Sequence, residues 1–140
     1  MKKILFAIAI FALIVQGCKK EENGDTRDPM VGSWDVYQTM SFPSSGLIHY
    51  YHVNYLIKKD DTDKARIKIS DGIRTIVALV NGSTYSYTYT YHYPYGSIYR
   101  DEVVISTGGI IGNRLTETGT ATNGSIGSAY AGTWSATGLR

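Results

Sequence analysis

The sequence predicts an all-β domain of about eight antiparallel strands in meander order. Two patterns carry this expectation: apolar residues recur at every second position in run after run, and turn-forming residues separate the runs. No stretch holds a helical repeat long enough to commit to. Short links favour antiparallel neighbours, and eight up-and-down strands close readily into a small barrel. A two-sheet β-sandwich uses the same strands and is the alternative.

Each element follows in order. Trp34, Val36 and Met40 share one face against Ser33, Asp35 and Thr39. Leu47, Tyr51, Val53, Tyr55 and Ile57 share a parity, and His52, Asn54 and Lys58 take the other. Ala65, Ile67 and Ile69 alternate with Lys64, Arg66, Lys68 and Ser70. Further runs cover 73–80, 83–93, 102–107, 110–120 and 126–137. Between them lie Pro43-Ser44-Ser45-Gly46, Asp60-Asp61-Thr62-Asp63, Asp71-Gly72, Asn81-Gly82, Pro94-Tyr95-Gly96, Gly108-Gly109 and Asn123-Gly124. Asp71-Gly72 and Asn81-Gly82 are signals for tight hairpins. Pro94 has no N–H for a ladder, so pairing is expected to stop there, with Tyr95 in the turn.

The strands occupy residues 30–140, enough for one small domain. Ahead of them the composition changes twice. Lys2 and Lys3 precede the uncharged apolar run Ile4 to Val15, which ends in Val15-Gln16-Gly17-Cys18. That run is about a dozen residues, too short for a spanning helix, which needs roughly 20. Val15-Gln16-Gly17-Cys18 resembles a lipobox, so residues 1–17 are expected to be a lipoprotein signal peptide and Cys18 the lipidated residue. Residues 18–29 are polar and end in Pro29, which fits a flexible tether.

The chain has 14 basic and 12 acidic side chains. Lys2 and Lys3 leave with residues 1–17, so 12 basic face 12 acidic in the mature form. Nothing remains to attract a polyanion, and nucleic acid is not an expected partner. One cysteine, taken by lipid, leaves no intramolecular disulfide.

Six tyrosines recur at every second position from Tyr85 through Tyr87, Tyr89, Tyr91 and Tyr93 to Tyr95. In a strand they project from one face, with Ser86, Thr88, Thr90 and His92 on the other. Three readings compete: a core filled by inward rings, a ligand cavity lined by the same rings, and an outward stripe that grips glycan or protein. Burying Ser and Thr hydroxyls without partners is costly, which disfavours the outward stripe.

The remaining polar residues offer little chemistry. His49 and His52 fall on opposite faces of a regular strand and cannot chelate one ion together. No carboxylate is fixed beside any of the three histidines, and His49 shares parity with apolar neighbours, as an interior polar group does. Asp60-Asp61-Thr62-Asp63 lacks the glycine and distal glutamate of a calcium loop and fits a solvated hairpin tip. No Gly-x-Ser-x-Gly elbow occurs, and the adjacent Asp101 and Glu102 diverge in a strand. No metal, no cofactor and no catalysis are expected.

Gly32-Ser33-Trp34 opens the first strand and resembles the N-terminal motif of lipocalins and related calycin barrels. There the Trp plugs one end and a basic residue near the last strand packs across it. The resemblance implies barrel-closing roles for Gly32 and Trp34. Gly132-Thr133-Trp134 repeats the spelling near the other end, with Arg140 following as the packing cation and Trp134 expected close to Trp34. The layout as a whole looks like the small lipocalin-like surface lipoproteins of Bacteroidetes, and Lys20-Glu21-Glu22 resembles their surface-export signal. The resemblance implies lipid anchoring in the outer membrane, exposed at the cell surface. It also implies a non-catalytic module for a small apolar or amphipathic ligand, bound by Tyr85, Tyr87, Tyr89, Tyr91, Tyr93 and His49. The alternative is a structural or interaction lipoprotein with a filled core that contacts glycan or envelope protein through its outer surface. The sequence leaves the oligomeric state open.

Overall fold

The computed structural model describes residues 24–43, 45–95, 98–123 and 131–140. Cys18, the expected signal peptide and the first half of the expected tether lie outside them. The eight strands are β1 (Gly32–Phe42), β2 (Leu47–Lys59), β3 (Arg66–Ser70), β4 (Thr75–Asn81), β5 (Thr84–Tyr95), β6 (Ile98–Ile111), β7 (Arg114–Asn123) and β8 (Gly132–Leu139). Every neighbour is antiparallel, in meander order, and β1 pairs with β8 from Asp35↔Leu139 to Ser41↔Thr133. That last ladder closes the ring, so the fold is a barrel and not the alternative sandwich.

Two turns sit elsewhere than expected. Gly108-Gly109 lies inside β6, and the chain reverses at Gly112-Asn113 instead. Gly112 takes φ +61°, the left-handed conformation a tight turn requires. Gly108 serves packing: a Cβ there would lie 2.3 Å from Cζ of Tyr85, whose ring crosses the gap. Pairing also continues past the proline, through Pro94↔Tyr99 and Tyr95↔Ile98. Mouthward of Ser86, β5 has no partner on its β4 side among the described residues, so there it is an edge strand, where proline is tolerated.

One end of the barrel is closed. Trp34 is fully buried there, and its Nε1 donates to the Met30 carbonyl at 2.9 Å. The Arg140 guanidinium lies 5.0 Å from the Trp34 ring and donates to the Val31 carbonyl at 3.1 Å. Gly32 adopts φ +137°, which disfavours any other residue at the head of the motif. Trp134 stands apart from this cluster. It pairs with Met40, six positions along β1, because antiparallel strands carry the start of β8 to the opposite end.

Residues 25–31 do not hang free as a tether. Arg27 is buried and donates from one nitrogen to the carbonyls of Asp60, Asp63 and Arg66, each at 3.1 Å. Its other nitrogens meet the Asp25 carboxylate at 2.7 to 3.2 Å. The segment is thus a strap tied to the β2–β3 turn, with Met30 inserted into the core. The turn is correspondingly ordered, not merely solvated. Asp60 accepts from the Thr62 backbone at 2.9 Å and its hydroxyl at 2.7 Å, which holds its carboxyl down at a pKa of about 2.

The other end is cut obliquely. β2 pairs with β3 only over Leu56–Lys59, and β4 with β5 only over Leu79–Asn81. β3 and β4 therefore form a low wall, while β1, β2, β5 and β6 rise beyond it. Among the described residues, Leu47–Tyr55 of β2 and Tyr87–Tyr95 of β5 each keep one edge without a strand partner.

Candidate functional site

The tyrosine ladder points inward, as the register requires: Tyr85 faces Gly108, Tyr87 faces Ser106, Tyr89 faces Val104 and Tyr91 faces Glu102. This excludes the outward stripe. The ladder then divides by height. Tyr85 and Tyr87 belong to the buried core, Tyr89 is packed against it, and Tyr91 is 44% exposed. The side chain of Tyr93 lies outside the described residues.

Beneath the open end is a polar floor that the sequence reading missed. Glu117, 1% exposed, projects into the barrel from β7. Tyr85 donates to its Oε2 at 2.8 Å and Ser106 to its Oε1 at 2.6 Å. Burial drives the Glu117 carboxyl above its ordinary range, with the hydrogen bonds from Ser106, Tyr87 and Tyr85 pulling back. Burial, with the charge of Glu117 behind it, also pushes the Tyr85 and Tyr87 hydroxyls upward, so they stay protonated donors. Tyr55, which accepts from Gln38 Nε2, joins the same layer and is raised by burial in the same way. The signal was present in parity: Leu115, Glu117, Gly119 and Ala121 share a face against Thr116, Thr118 and Thr120.

Above that floor the inward residues meet solvent. Tyr51 of β2 is 45% exposed and Leu47 56%. His49 faces the interior by register but sits exposed at the rim, so it is not the enclosed polar group expected. Its ring meets Phe42 edge-on at 5.8 Å and stacks with Tyr51 at 6.2 Å. From the low wall Arg74 reaches across to β5. Its guanidinium lies 5.0 Å from the Tyr89 ring and 5.5 Å from Tyr91, and its Nε donates to Asp71 at 2.8 Å. Glu102 faces the same space, half-buried, and burial raises its carboxyl.

Trp134 supplies an unspent group. Its indole covers Gly119, where a Cβ would lie 2.3 Å from Nε1. The residue is 8% exposed, and among the described residues this N–H has no hydrogen-bond partner. Leaving a buried donor unmet costs about 1–3 kcal/mol.

The outer wall holds two histidine–carboxylate pairs. His52 stacks on Tyr37 at 4.4 Å and pairs with Asp35, while His92 pairs with its register partner Asp101. This corrects the expectation that no carboxylate stands beside a histidine. Asp35 and Tyr37 also border a groove of about 270 Å³ with Arg114, Thr137, Gly138 and Leu139. Among the described residues no group of three His, Cys, Asp or Glu is arranged to hold a metal.

No protein-family model and no curated protein matches this chain. Among solved structures it is similar to the crystal structure of a protein of unknown function from the DUF3598 family of Nostoc punctiforme, at 14% identity and a TM-score of 0.51. The match covers 81% of this chain and 48% of the other, so the chain spans about half that protein's length. At this identity the likeness establishes the shared barrel fold alone.

Proposed function

We propose that the protein is a lipid-anchored lipoprotein of the outer membrane, exposed at the cell surface, whose barrel captures a small apolar or amphipathic molecule without catalysis. The observation that carries the ligand-binding part is the contrast between the two halves of the interior. Inward side chains are sealed at the Trp34 end and solvent-exposed at the other, where Tyr51, Tyr89, Tyr91, His49 and Arg74 form an aromatic cup. The His–Asp pairs stand on the outer wall, turned away from that cup, which favours a binding role over a catalytic one. Lipidation of Cys18 rests on the sequence motif. With the strap beginning near Asp25, the seven residues from Cys18 span at most about 25 Å. The closed end would then face the membrane and the cup would open away from it.

A second reading is favoured by the wall itself. Ile48 and Tyr50 stand on an edge that no described strand pairs, Tyr50 at 76% exposure, as an interaction lipoprotein would display them.

The test is native mass spectrometry of the protein taken gently from bacterial envelopes, beside Tyr89→Ala and Cys18→Ser. A guest mass in the native chain that disappears in Tyr89→Ala, with the thermal midpoint kept, supports capture. No guest, with Tyr89→Ala only less stable, would refute it and leave the outer surface as the functional face. Cys18→Ser is expected to lose the lipid mass and membrane association. A chain without lipid before that change overturns the anchoring.

A further inference from the structure

We infer that the cup takes a compact, flat ligand carrying a carbonyl or carboxylate oxygen, and that the Trp134 Nε1–H donates to that oxygen. The inference rests on the ligand-binding reading above and specifies its chemistry.

Depth comes first. Glu117 and the tyrosines bonded to it close the interior at the level of Tyr87. The low wall ends where Arg74 meets Tyr89 and Tyr91. Between that floor and the Arg74 rim lie Tyr87 to Tyr91, roughly 13 Å of strand, open on the side where β5 leaves β4. One or two fused rings fit that height. An extended long acyl chain does not.

Shape comes from the walls. Aromatic faces line the cup from β2 and β5, whereas the β7–β8 wall opposite β3 and β4 carries Gly119, Ala121 and Gly132. Small residues alone say nothing about a ligand. The indole of Trp134 lying across Gly119 does, since it brings a deeply buried N–H with no acceptor to the row Met40, Trp134, Gly119, Ser106 and Tyr87. That row is one step mouthward of Glu117, whose two oxygens already accept from Tyr85 and Ser106. Those oxygens are therefore engaged, and the other carboxylate facing the cup, Glu102 opposite Tyr91, has its charge offset by the Arg74 cation. Arg74 is a second donor from the facing side of the ring, because β4 and β8 are four strands apart among eight. Donors on opposed walls suit a ligand whose polar atoms accept.

The experiment is calorimetric titration of the barrel with 2-naphthoate, palmitate and 2-naphthylmethylamine, in the native chain and in Trp134→Phe. The expected result is that naphthoate binds best of the three, and that Trp134→Phe weakens it about fivefold or more. The unliganded variant should keep a cooperative thermal transition, because the cavity left by the smaller ring and the removal of an unmet donor act in opposite directions. Equal naphthoate affinity in Trp134→Phe overturns the donor role. Tighter binding of palmitate or of the amine overturns the ligand class while leaving capture intact. Binding of none of the three, together with no guest in the envelope material, removes the capture reading itself.

Discussion

Individual residues in this barrel are chosen in pairs across strands. Gly108 makes room for Tyr85, Gly119 for Trp134, and Gly138 for Val36, where a Cβ would meet Cγ2 at 3.0 Å. Gly108→Ala is expected to cost about 3 kcal/mol in chemical denaturation, since the Tyr85 ring must leave its place. The loss should shrink in a background carrying Tyr85→Leu, because the two changes are coupled. Glu117 makes a second residue-scale case. Its carboxyl titrates above the ordinary 4.5 in the folded chain because burial disfavours its charge. The folded state therefore holds the proton more tightly, and stability declines as pH rises from 4.5 toward the folded value. Glu117→Gln removes that decline, so its stability relative to the native chain should grow between pH 4.5 and neutrality. A pH-independent difference in urea midpoints would sink this account. Neither pairing was legible beforehand. Parity shows which way Tyr85 and Glu117 point, but only the register reveals that a glycine or a carboxylate stands opposite.

At the scale of elements, alternation and turn chemistry located nearly every strand, because both are local properties. What they missed was non-local. Gly108-Gly109 has the spelling of a turn, yet those glycines exist for a ring on the next strand. Residues 25–29 have a tether's composition, yet Arg27 finds three carbonyls more than thirty positions away. The same holds for the outer His52–Asp35 and His92–Asp101 pairs, which form only after the ladders set their register. β2 offers a measurable signature of the oblique rim. Over Leu47–Tyr55 it has β1 on one side and, among the described residues, no strand on the other. Successive amides point to opposite edges. Amide exchange followed by NMR should therefore alternate between slow and fast along this stretch and become uniformly slow at Leu56 and Ile57, where both β1 and β3 pair. Uniform protection throughout would mean that a further strand covers the edge.

The molecule as a whole is a ring with one sealed end, a polar partition and an aromatic cup. The ring and the sealed end were readable from Gly32, Trp34 and the strand count; the partition was not, since it is built from four strands at once. Trp134 was misplaced for a related reason: first and last strands are neighbours in a closed barrel, which suggested proximity, and antiparallel order put it at the other end. Ring closure also has a consequence in time. β1 is made first but reaches its second neighbour only when β8 exists, and Arg140 meets the Val31 carbonyl across a separation of 109 positions. Contacts of such long range are slow to form, because the loop must be ordered before the contact rewards it. While the ribosome still holds β8, the chain is a meander with two bare outer edges. The strap contacts of Arg27 and the Glu117 floor lie within residues 27–117 and need no β8, whereas the ring itself is complete only once the first strand meets the eighth.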